Sequence, residues 1–492
     1  MSFKTKLSSF LPLISLFIFS FSCTPKINPE SKNERFFTQQ DFSKNNSDLA
    51  KYVYTPDDAF SYEVVNTLPG DGYTTYIVKM VSQVWLDKSV VKRPEWWHWV
   101  TIVVPESVKS NTGLLLISGG SHKSDQPEKP DDVLVKLAQA SNSIVSKIHN
   151  VPNQPTEFVG DDYGPRVEDE IISYGWRQFL EKGADSKDAH WLARFPMTKA
   201  AVRAMDVITE VTSSDKINNP VNEFVVTGAS KRGWTTWTTG AVDERVVAIA
   251  PIVIDLLNMV PSFKHHWRAY GRWADAIHDY EYEGIMEWQN SEEYHQLTLQ
   301  TEPYSFLNDL KIPKLLLWAS GDQFFLPDSW QFYWDDLKGE KHLRYVPNSE
   351  HSMKETDVVE TLAAFFQMIV AQKERPDFDW EVKNGEIHIQ TNKEFIPESI
   401  TLWKAHNPNG RNFQVTEIGR AYEPSNIPIS ADGKYTIKID QPEEGYSAFF
   451  AELKFPGLGS VPLKLSTGIV VTPDTYPYPP YESEDPMGTP MD

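Results

Sequence analysis

Cysteine is nearly missing from this chain: a single residue, Cys23, among 492. A lone thiol closes no intramolecular disulfide and builds no cysteine-ligated zinc site, so the fold must be held by packing. Basic residues are also short. Lys and Arg number 47 against 68 Asp and Glu, a net charge of −21 with a pI near 5.0. Such a surface repels phosphates, which argues against nucleic acid as a partner. No glycine-rich nucleotide loop, no HExxH helix and no cysteine cluster occurs, so the motifs imply no cofactor and no metal. A metal site built from scattered Asp and His stays open at this level. No internal repeat is found.

What is present starts at the N-terminus. Lys4 and Lys6 precede a mostly apolar stretch, residues 7–21, followed by Ser22 and Cys23. This is the layout of a secretory signal over residues 1–22, too short and too early for a spanning helix of the mature protein. Cys23 stands where a bacterial lipoprotein signal ends. Lipid attachment at Cys23 is therefore expected, holding the protein on a bacterial membrane, periplasm-facing or at the surface. The competing reading is an ordinary cleaved signal with an incidental cysteine. Polar residues 23–50 read as a tether.

Beyond it, 40% hydrophobic residues and 34 prolines suit a globular protein with room for two or three domains. Residues 73–86 and 97–104 alternate as strands do. Continuous apolar runs follow at 114–118, 144–148, 224–227, 246–254 and 315–319, the mark of strands buried on both faces. Helical segments lie between them, notably 198–212. The pattern predicts a doubly wound, mostly parallel α/β sheet over residues 51–375. It breaks at 255–312, rich in Trp, Tyr and His, which reads as a cap over a half-wet cleft or as extra packing. Short alternating strands with Asn-Gly and Asp-Gly turns over 376–472 predict an immunoglobulin-like β-sandwich. The proline-rich, acidic tail, 473–492, is expected to be disordered.

The stretch Val225–Trp234, VVTGASKRGW, ends a strand and opens a helix over 231–242. Ser230 sits at the junction, either as a nucleophile on a sharp elbow or as a plain helix N-cap. Gly233 comes one residue later than in the usual G-x-S-x-G elbow. Asp322 follows the strand KLLLWAS, and His351 follows the strand 342–346, before a helix over 356–372. Ser, then Asp, then His, each after a core strand, is the chain order of a hydrolase triad: Ser230, Asp322 and His351. The backbone N–H of Lys231 and the loop at Gly119 and Gly120 would bind the developing oxyanion. The Lys231 side chain is expected to turn away from the cleft. Arg232 is either an anchor for an anionic substrate or a partner for an acid within the fold.

These stretches resemble the PhoPQ-activated pathogenicity-related protein family. The likeness runs from about residue 49 to the C-terminal β-region and is carried by AKYVYTPDDAFSYEV, RPEWWHWVTIVVP, TGASKRGWT and YGRWADAIHDY. The late glycine is the family's own form of the elbow. The resemblance implies an α/β-hydrolase fold with a C-terminal β-sandwich, and roles in envelope stress and virulence in some members. It fixes no substrate. A second, short resemblance, in the Gly-x-Ser-x-x-Gly spacing, is to glucuronoyl esterases. Two functions follow as expectations: a serine hydrolase acting on an ester or peptide, or a surface binding module on a hydrolase scaffold. Oligomeric state is not legible.

Overall fold

A computed structural model describes residues 42–491. The signal, Cys23 and the first part of the tether lie outside the described residues. The tether expected up to residue 50 ends sooner. Lys44 N–H donates to the Val242 carbonyl, and Ser47 caps helix α1 (Asp48–Tyr54), whose Leu49, Ala50 and Val53 are buried.

The sheet has nine strands: β1 (Ser61–Gly70), β2 (Tyr73–Val84), β3 (Glu95–Pro105), β4 (Thr112–Ile117), β5 (Val145–Ile148), β6 (Glu223–Ala229), β7 (Val246–Ile252), β8 (Lys314–Ala319) and β9 (Lys341–Val346). Their spatial order is β1-β2-β3-β5-β4-β6-β7-β8-β9. The first three pair antiparallel, β3 pairs antiparallel with β5, and the strands from β5 onward run parallel. An antiparallel entry, one crossover between β4 and β5, and parallel strands to the end make this an α/β-hydrolase fold.

The continuous apolar runs serve two cores at once. Along β8, Leu316 and Trp318 pack into one core and Leu315 and Leu317 into the other. Along β6, Phe224 and Val226 face the first and Val225 the second. Successive side chains of a strand leave on opposite faces, so a strand covered on both sides needs no polar alternation. Helices α2 (Asp132–Ser141) and α9 (Val358–Val370) contribute to the second core. Helices α3 (Asp169–Glu181), α4 (Arg194–Ser213) and α5 (Lys231–Val242) contribute to the first.

Between β7 and β8 lies the aromatic insertion, with α6 (Met259–Tyr270), α7 (His278–Tyr282) and α8 (Glu292–Thr301). After α9 come two antiparallel sheets. One holds β10 (Phe378–Lys383), β11 (Glu386–Thr391) and β14 (Lys434–Ile437). The other holds β12 (Ser399–Asn407), β13 (Glu423–Ile427), β15 (Tyr446–Phe455), β16 (Leu463–Ser466) and β17 (Val470–Thr472).

The tail corrects an expectation. Instead of a disordered end, residues 476–491 lie along the insertion. The Tyr476 hydroxyl meets His265 Nδ1 at 2.8 Å, and the Tyr481 ring packs 4.6 Å from Trp267 while its hydroxyl donates to Glu287. Thr489 exchanges backbone and side-chain hydrogen bonds with Glu292 and Glu293. Proline holds a chain extended in advance, so little entropy is lost when Tyr476 and Tyr481 find aromatic ground.

Candidate active site

The carboxyl ends of the parallel strands gather at one edge, where open α/β sheets place their sites. Register fixes who meets whom. Ile117 of β4 lies opposite Gly228 of β6, which sets Gly119 level with Ser230 on the neighbouring strand end. Ala229 lies opposite Ile252, and Ala319 opposite Val346.

Ser230 adopts φ 58° and ψ −126°, a conformation that a side-chain-bearing residue holds only where its surroundings enforce it. Its N–H donates to the Ile252 carbonyl at 2.8 Å. Its hydroxyl makes no capping hydrogen bond, which removes the plain N-cap reading. Gly233 explains the late glycine. A Cβ there would come within 2.9 Å of the Ile252 carbonyl oxygen and 3.0 Å of the Gly228 oxygen. Strand and helix pass too closely for any other residue.

Asp322 and His351 are brought together. The imidazole Nδ1 lies 2.9 Å from both carboxylate oxygens. A carboxylate only accepts, so Nδ1 carries the proton and Nε2 keeps its lone pair. Asp322 also accepts from the Phe324 N–H, and the Gln323 side chain accepts from the His351 N–H, so both loops are pinned. The Phe324 ring lies 4.1 Å from the imidazole. Among the described residues no hydrogen bond joins the Ser230 hydroxyl to His351; Ser230 and Phe324 line one cavity of about 40 Å³ with Lys231, Trp234, Phe263 and Tyr280. The insertion thus forms part of the wall, in the manner of a cap.

Both cations after the serine are spoken for. Lys231 Nζ lies 2.8 Å from Glu168 and 2.8 Å from Asp169. Arg232 donates to Glu168 at 2.6 Å and to the Val151 carbonyl. Of the two readings for Arg232, the structure carries the partner for an acid within the fold. Burial raises the Glu168 pKa, but Arg232 and Lys231 outweigh it and hold the carboxyl down at about 2. The Lys231 N–H opens α5, where first-turn donors lack an intrahelical partner. Gly119 lies against the Arg232 guanidinium, and its carbonyl and that of Gly120 accept from Asn150 and Gln154.

Sequence reasoning missed several groups. Glu168 and Asp169 have no local motif. Arg194 is buried with its guanidinium 4.4 Å over Trp234 and one N–H on the Lys231 carbonyl. Asp255 follows the apolar run of β7, which was a readable signal. It is fully buried on the hydroxyls of Tyr333 and Tyr345, and burial pushes its carboxyl up to about 8. No group of three or more His, Cys, Asp or Glu gathers for a metal among the described residues, and no helix there is long and apolar enough to cross a membrane.

A family profile for the PhoPQ-activated pathogenicity-related protein matches residues 49–414. The chain is 35% identical over 458 residues to autocrine proliferation repressor protein A of Dictyostelium discoideum, covering 87% of this chain and 91% of that protein. Similar solved structures include the acetyl xylan esterase from Paenibacillus sp. R4, at 15% identity and a TM-score of 0.43 over 68% of this chain and 98% of that one. A glucuronoyl esterase from Solibacter usitatus is similar at 12% identity and a TM-score of 0.38, over 66% and 87%.

Proposed function

The chain belongs to the PhoPQ-activated pathogenicity-related protein family, and from that premise we propose that it is an exported serine hydrolase of the cell envelope, cleaving a carboxylic ester or peptide bond through an acyl-enzyme. The observation that carries this reading is the Asp322–His351 pair, held at the same sheet edge as a serine on a strained elbow whose hydroxyl serves no cap.

The chemistry follows from those atoms. Ser230 Oγ attacks the carbonyl carbon while His351 Nε2 takes its proton, and Asp322 keeps the other ring nitrogen protonated. The new oxyanion is met by the Lys231 N–H and by the loop at Gly119 and Gly120. The C–O or C–N bond breaks as the imidazolium returns its proton to the leaving group. Water then attacks the acyl-enzyme with His351 again as base, releasing the acid and restoring Ser230. No cofactor enters these steps. Attachment through Cys23 belongs to the same proposal and rests on the signal layout alone.

The test is labelling by a fluorophosphonate probe. Wild-type protein should label and Ser230→Ala should not. The second reading, a binding module on a hydrolase scaffold, is favoured by the name of the Dictyostelium relative, which describes repression of proliferation. Wild-type protein that stays unlabelled beside a reactive control hydrolase would favour it over the hydrolase.

A further inference from the structure

The cavity beside Ser230 is small. Its volume, about 40 Å³, is well below the roughly 150 Å³ of a cavity that takes a benzene ring. Its walls are fixed from several directions. Trp176 and Trp234 lie edge to face, 6.4 Å apart, in the core under the elbow. Arg194 closes one side, stacked on Trp234 and tied to the Lys231 carbonyl at 2.9 Å. Phe263 and Ile277 come from the insertion, both buried. Close-packed side chains of this kind do not open for an extra methylene without cost.

Acid catalysis decides which half of a substrate enters. The departing oxygen must reach His351 Nε2 to be protonated, so the leaving group lies on the histidine side. His351 is not part of the cavity wall. Phe324 lines the cavity and packs on the imidazole, dividing the two regions. With the carbonyl carbon at Ser230 Oγ, the acyl substituent faces the cavity. Resting on the serine-hydrolase reading above, the geometry points to esters of short acyl groups, acetyl above all, with the size limit on the acyl side and the alcohol free to be large.

The experiment compares 4-nitrophenyl acetate, butyrate and octanoate on the purified full-length protein, with fluorophosphonate labelling run alongside. Each methylene beyond the fitting length should lower kcat/KM by about tenfold or more, so acetate leads and octanoate is turned over poorly. Phe263→Ala, or Ile277→Ala should the first variant fold poorly, enlarges the cavity and should raise the butyrate-to-acetate ratio by about tenfold. If wild-type protein labels at Ser230 yet prefers octanoate, or if the ratio is unmoved in a folded variant, the acyl-size limit is wrong and the hydrolase reading stands. If nothing labels and no ester is cleaved, the hydrolase reading falls and takes this inference with it.

Discussion

At the scale of single residues, Ser230 and Asp322 were legible because each follows an apolar run long enough to be a buried strand, and His351 because it stands between the strand 342–346 and a helix. All three inherit their positions from strand ends, which allow little freedom. Asp322→Asn should lower kcat by about four orders of magnitude while leaving the melting temperature nearly unchanged, since the amide keeps the shape but favours the wrong tautomer. Arg232 was legible only as a choice, because its partner, Glu168, lies 64 positions away with no pattern linking them. Arg232→Ala should cost about 1–2 kcal/mol, since Glu168 is partly exposed and keeps Lys231 at 2.8 Å, read as a lower urea midpoint. Its KM should show no special dependence on substrate charge. Asp255 makes a prediction of its own. Its carboxyl is raised from 3.8 to about 8 by burial, so between those values the folded chain holds a proton that the unfolded chain has released. Stability from this group is full below pH 4 and declines as pH rises to 8, by up to about 1.4 kcal/mol per unit. Asp255→Asn should flatten thermal melts across pH 5–8; an unchanged slope would refute the assignment.

At the scale of elements, the elbow is an agreement between β6, β7 and α5. Its late glycine looked anomalous in sequence because the motif counts positions, whereas the backbone counts distances to Ile252 and Gly228. Gly233→Ala should cost about 1–3 kcal/mol through overpacking and cut activity further by displacing Ser230, measurable as a kcat loss exceeding any loss of labelled sites. Strand β1 escaped notice for the opposite reason. It lies at the sheet edge, half exposed along most of its length, and its residues carry no strong apolar period. The C-terminal strands were legible from their turns, since Asn-Gly and Asp-Gly punctuate alternation wherever it occurs.

At the scale of the whole molecule, composition misled. A proline-rich acidic tail reads as disorder when taken alone, but its tyrosines have a surface waiting 200 residues upstream. His265 joins Tyr476 to Asp328, and Asp328 in turn holds Arg411 at 2.7 Å from the C-terminal sheets. Removing residues 474–492 should lower the melting temperature by several degrees and expose the insertion to limited proteolysis near residue 270.

The second core has a longer reach. Leu362, Phe365 and Phe366 of α9 belong to the same apolar cluster as Ile387, Phe449, Leu453 and Leu465 of the C-terminal sheets. One cluster spanning both regions leaves no seam at residue 375 along which the two could come apart independently. The family match, which continues to residue 414, does not stop at that boundary either. Regions joined in this way melt together, so calorimetry should show one transition for both rather than two.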